Sequence, residues 1–161
     1  MTTLVTSQTL EPTFSNSLAT LTGSQTISNK TLKIVKEPVT IVGAAPGGTT
    51  DFDVATQSIS VYNTATQNFI LNVRGNSTTT LDSLVNIGES VGITLFVPNG
   101  LTAYYPTNLT IDGGIGTRTL KFQNGIPVSF GNSNCTDIYV IYIIKTATNT
   151  WDVYVSQTKY A

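Results

Sequence analysis

From its C-terminal end backwards, the chain is a series of short β-prone runs separated by turn residues. Residues 137–146, DIYVIYIIKT, form a nearly continuous apolar run, which predicts a strand buried on both faces. In 151–156, WDVYVS, Trp151, Val153 and Val155 alternate with Asp152, Tyr154 and Ser156. Alternation of period two predicts a half-buried strand, and the small polar connection between the two runs predicts a β-hairpin. Further strands are predicted at 52–62, 68–74, 91–97, 109–112 and 117–122. Turn signals punctuate them: Gly47-Gly48, Gly75-Asn76, Asn99-Gly100, Asp112-Gly113-Gly114, Asn124-Gly125 and Gly131-Asn132. No long stretch has apolar residues at helical spacing, and the good helix formers are scarce. The pattern predicts an all-β fold, a compact antiparallel β-sandwich of jelly-roll-like design.

Residues 1–45 differ. They carry one aromatic, Phe14, and only short β-prone pieces at 18–21, 31–35 and 39–42. The run 46–50 is rich in glycine and follows Gly43-Ala44-Ala45. This organisation predicts an extended N-terminal arm over 1–45, a hinge over 46–50 and a β-sandwich over 51–161. So polar an arm needs something to lie against, and a second copy of the chain is the economical partner. Short echoes such as Gly23-Ser24-Gln25-Thr26 and Ala55-Thr56-Gln57-Ser58 recur at irregular spacing and define no repeat period.

Composition narrows the function. Only 11% of the 161 residues are charged, the formal net charge is -1, and there is no His. Eight scattered Lys and Arg do not make a nucleic-acid surface. Without His, imidazole-based triads and most zinc sites are excluded. One Cys gives no internal disulfide, so Cys135 is read as an inert, partly buried thiol. No apolar run reaches membrane-spanning length. The start of the sequence lacks the basic and apolar regions of a secretory signal, which points to synthesis in a cytoplasm. The four Asn-x-Ser/Thr sequons, at Asn29, Asn76, Asn108 and Asn134, are then compositional.

Candidate chemistry is sparse. Asp51 and Asp53 share one face of a strand, but the further oxygen ligands of a calcium loop do not follow. Asp112-Gly113-Gly114 reads as a turn. The glycine-rich 43–48 lacks the Gly-Lys-Ser/Thr ending of a phosphate loop. Glu89, Asp82 and Asp137 are the carboxylates to test for glycosidase geometry, which sequence cannot place. No enzyme, cofactor or metal is expected. Tyr104, Tyr105 and Trp151 are the candidates for a glycan or partner contact, because aromatic faces stack on sugar rings; the alternating strand also suits Trp151 to the core.

Residues 21–32, LTGSQTISNKTL, closely resemble an element that recurs in tail-fibre and other virion structural proteins of tailed bacteriophages. The region from Phe52 past Gly75, the segment GLTAYYP at 100–106 and the ending IIKTATNTWDVYVSQTKYA are similar to a domain of structural proteins from marine phages, cyanophages especially. The resemblance covers most of the chain. It implies a virion surface protein without enzymatic activity, a homotrimer in contact with capsid or tail proteins. Leu21, Ile27 and Leu32 would then be arm residues that anchor it, with a tail-fibre module and a capsid decoration as the two placements. Recognition of a host surface glycan is the alternative function. The element occurs once, which favours a compact appendage over a long fibre.

Overall fold

The computed structural model describes residues 36–161, the unit Lys36–Ala161. Its nine strands are β1 (Val39–Val42), β2 (Gly48–Asp53), β3 (Ile59–Tyr62), β4 (Phe69–Arg74), β5 (Ser90–Pro98), β6 (Pro106–Ile111), β7 (Thr117–Phe122), β8 (Thr136–Ala147) and β9 (Thr150–Tyr160). One helical turn, α1 (Leu81–Leu84), is capped by the Thr80 hydroxyl, which accepts from the Ser83 N–H at 3.2 Å. The all-β class holds. A six-stranded sheet A runs β1-β3-β5-β8-β9-β7, and a three-stranded sheet B runs β2-β4-β6.

The strand pairing departs from the antiparallel arrangement expected of a jelly-roll-like sandwich. From β1 to β6 the chain alternates between the sheets, so every in-sheet neighbour is the strand after next. Val39 pairs with Ile59 and Ile59 with Thr94 in sheet A. Gly48 pairs with Phe69 and Phe69 with Pro106 in sheet B. All four ladders are parallel. A parallel pair needs a long crossover, and each of these four crossovers contains a strand of the opposite sheet. Gly47-Gly48, Gly75-Asn76, Asn99-Gly100 and Asp112-Gly113-Gly114 are therefore at corners between sheets, while Asn124-Gly125 and Gly131-Asn132 lie between β7 and β8 of sheet A. Only β5–β8 and β8–β9 are antiparallel, and the predicted β8–β9 hairpin is present, turning at Asn149 with φ 50°. β7 then joins the far side of β9 in parallel.

The corners also move the predicted boundaries. Strands β1 and β2 belong to the two sheets, so 39–42 and 48–50 lie within the folded unit instead of an arm and a hinge. The predicted single strand 52–62 breaks after Asp53 and continues as β3 in the other sheet. Leu21, Ile27 and Leu32 lie outside the described residues.

The inner faces of both sheets supply one core. Phe52, Leu71, Val73, Leu109 and Ile111 come from sheet B; Leu95, Tyr139, Ile141, Ile143, Trp151 and Val153 come from sheet A. Tyr62 and Phe69 close one corner with ring centroids 6.1 Å apart. At about 25 cal/mol per Å² of apolar surface removed from water, this core is the main source of stability.

Candidate functional site

The predicted aromatic platform is not brought together on the surface. Trp151 is in the core at 1% exposure, as its alternating strand implied, with the Lys145 ammonium 5.6 Å from its ring centroid. Tyr104 and Tyr105 are half-buried and pack against the core. Their backbone N–H groups donate to Asn99 Oδ1 at 3.0 Å and Asn68 Oδ1 at 3.1 Å, which fixes this corner as structure. Burial pushes the phenols of Tyr62 (to about 12) and Tyr139 up, so both stay neutral at physiological pH.

The carboxylates are each engaged by their own partners. Asp51 and Asp53 do share one strand face, and Arg74 bridges them at 2.7 and 2.6 Å. Asp112 accepts the N–H groups of Leu81 and Asp82 at 2.6 and 3.1 Å, holding the start of α1. Asp82 pairs with Lys145 at 2.7 Å, and this pair with the Asn149 N–H holds its carboxyl below the usual range. Asp137 is fully buried and accepts from Asn99 Nδ2, Asn132 N and Asn132 Nδ2. Glu89 accepts from the backbone and side chain of Asn86, which lowers its carboxyl. Each of the three glycosidase candidates is thus held in a separate local network. Among the described residues no group of three or more His, Cys, Asp or Glu could hold a metal. Gly48 opens β2 with φ 55°, so the glycine-rich run ends as a corner. Cys135 is half-buried, and its carbonyl accepts from the Asn99 N–H.

The outer faces of the two sheets differ sharply. On sheet B most outward side chains are polar, Ile70 in β4 excepted, and several are bonded to one another. Asn72 donates to Asp51 at 2.7 Å and accepts from the Thr110 hydroxyl at 2.9 Å and the Gly113 N–H at 2.8 Å. These polar groups satisfy one another in water.

On sheet A the outward positions of β1, β3 and β8 are largely apolar, whereas those of β7 and β9 are mostly polar, with Thr119, Lys121, Asp152, Ser156 and Thr158 among them. Strand register places Ile41, Val61, Phe96 and Ile138 in one row across four strands. A second row holds Val39, Ile59, Thr94 and Val140. Tyr142 and Tyr154 lie opposite each other, 56% and 42% exposed. Gly92 lies under the Tyr142 ring, where a Cβ would meet it at 3.1 Å. Lys121 reaches across from β7, 4.8 Å from the Tyr154 centroid, and pairs with Asp152 at 2.7 Å. Sequence reasoning missed this face. Its signal is the apolar even-numbered positions Ile138, Val140, Tyr142 and Ile144. A strand buried on both faces would carry a second core layer over them, but β8 is fully covered on its inner face alone.

The edges of the sheets differ as well. In β6, Pro106 has no N–H, and Asn108 Oδ1 accepts the Leu109 N–H and an Arg118 guanidinium nitrogen at 3.0 Å. These devices blunt an edge. In β2, Asp51 and Asp53 bring charge to the edge strand. Strand β1, VTIV, contains neither charge nor proline, and its Ile41 is 77% exposed. Comparison with family models, with curated proteins and with solved structures gives no match to this chain.

Proposed function

We propose that this chain is a non-enzymatic structural protein of a tailed-phage virion. Its β unit is displayed outward as a compact surface appendage, a short fibre or tail module or a capsid decoration, and packs against copies of itself. The residues preceding the unit attach it to other virion proteins. The observation that carries the reading is the group of apolar side chains on the outer face of sheet A, from β1 to β8, beside the mostly polar outer face of sheet B. A monomer in water gains nothing from such a face, whereas an assembly buries it. The LTGSQTISNKTL element at 21–32 supports the virion setting, and three is the copy number that its resemblance implies. The test is quantitative mass spectrometry of purified particles of the phage that encodes the chain. Hundreds of copies per particle would put it on the capsid and about a dozen on the tail. Its absence from washed particles refutes the reading.

A second reading, recognition of a host-surface saccharide, draws on the exposed Tyr142–Tyr154 pair with Lys121 beside it. A glycan array with the wild type and Tyr142→Ala/Tyr154→Ala decides it. Binding that the double substitution removes supports it, and no binding to any sugar removes it.

A further inference from the structure

We infer that the outer face of sheet A, with the β1 edge that continues it, is the surface through which copies of this chain meet. The inference rests on the self-packing reading above and assigns it a place on the molecule. Its occupant is a second copy, for three reasons.

The first is size. Six strands about 4.8 Å apart span about 24 Å, and positions 138–144 of β8 run for about 20 Å at 3.4 Å per residue. Taken over all six strands, with the mostly polar outward positions of β7 and β9 included, the face is at most roughly 500 Å² in projection, before side-chain relief is added. That approaches the roughly 600–1,000 Å² per partner of specific interfaces.

The second is charge. In a symmetric contact between copies, each charge near the axis meets its like. Lys121 on this face is paired with Asp152 at 2.7 Å, and Glu37, in the hollow beside Tyr142, keeps its charge and accepts from the Ser58 hydroxyl at 3.2 Å. Across the rows of Ile41, Val61, Phe96 and Ile138 there is no charge at all.

The third is shape. Tyr142 stands over Gly92 as a ridge with a hollow on each side. One hollow is lined by Lys121, Val140, Tyr154 and Ser156, the other by Glu37, Ser58, Gly92 and Thr94. A ridge flanked by hollows can interlock with a copy of itself. The uncharged β1 edge lies at the margin of the same face and offers its backbone groups to the same neighbour.

The experiment uses the full chain. Masses in solution are measured by light scattering for the wild type, for Ile41→Asp/Tyr142→Asp on this face and for Thr49→Asp on the outer face of sheet B. Ile41, Thr49 and Tyr142 are all exposed, so the fold should tolerate the changes, and circular dichroism checks that. The expected result is a wild type and a Thr49→Asp variant at a multiple of 17.2 kDa and a double variant at 17.2 kDa. A double variant that stays assembled overturns this surface and leaves self-packing standing. A wild type at 17.2 kDa overturns both. Should the double variant fail to fold, hydroxyl-radical footprinting of the wild type decides. Tyr142 should be protected at assembling concentration and reactive on dilution, while Leu101, 88% exposed, reacts equally in both. Equal reactivity of Tyr142, or its protection only on adding a host saccharide, overturns the inference.

Discussion

Replacing Asp82 with Ala should be among the most damaging polar substitutions in the β unit. Lys145 is a charged residue at 6% exposure on the inner side of β8. Its ammonium is held by the Asp82 carboxylate at 2.7 Å, by the Asp82 carbonyl and by the face of Trp151. Removing the carboxylate leaves a buried cation with one neutral acceptor and a ring. Breaking a buried pair from one side costs about 3–5 kcal/mol. At about 2–4 °C per kcal/mol for a chain of this size, Tm should fall by roughly 10 °C. Lys145→Met should cost less, about 1–3 kcal/mol. Asp82 has 19% of its side chain exposed and keeps the Asn149 N–H at 2.7 Å, while Met preserves the packing on Trp151. The double variant removes both charges, so its loss should fall short of the sum by about 2 kcal/mol or more. Urea unfolding at pH 7, extrapolated to water for all four proteins, reads these differences. A cost under about 1 kcal/mol for Asp82→Ala, with additive singles, is how an exposed pair behaves, and would overturn the role given to this one.

Other single contacts lead to three more expectations. Because Asp82 and Glu89 titrate below their ordinary range when folded, their contribution is present above the unfolded carboxylate pKa near 4 and is lost as pH falls through the lower folded values. Urea midpoints from pH 7 to pH 2 should decline, and Asp82→Ala should flatten that decline; an unchanged slope would contradict the assignment. Gly116→Ala should destabilise the unit by more than about 1 kcal/mol and lower its thermal midpoint, since Gly116 has φ 88° and a Cβ there would lie 2.2 Å from the Asn149 carbonyl oxygen. The fluorescence of Trp151, the one Trp of the chain, should be that of a buried indole with little quenching by iodide; ready quenching would place it on the surface.

The all-β class was legible because Val, Ile, Thr and Tyr with regular turn residues suit a pleated surface and little else. Trp151 was legible as a core residue from the alternation of 151–156. The parallel pairing was not, because a corner between two sheets and a hairpin within one use the same Gly and Asn residues. Gly75-Asn76 illustrates this: Asn76 Oδ1 caps the N–H groups of Thr78 and Thr79, which is turn chemistry that says nothing of where the next strand goes. The arm boundary failed because β1 is only four residues long and borrows its order from β3. The apolar outer face was hidden in the same way. A run such as 137–146 fits a doubly covered strand or a strand with one face open to a partner, and only the sheet order separates them. Tyr104 and Tyr105 illustrate the converse: aromatic residues beside a proline looked available but are tied down by Asn99 and Asn68.

Whether this chain buries one outer sheet face against its own kind can be read from native mass spectrometry of the full chain at micromolar concentration. A single closed assembly at a whole multiple of 17.2 kDa is expected, at three copies if the resemblance at 21–32 holds. A lone species at 17.2 kDa across that range would contradict it.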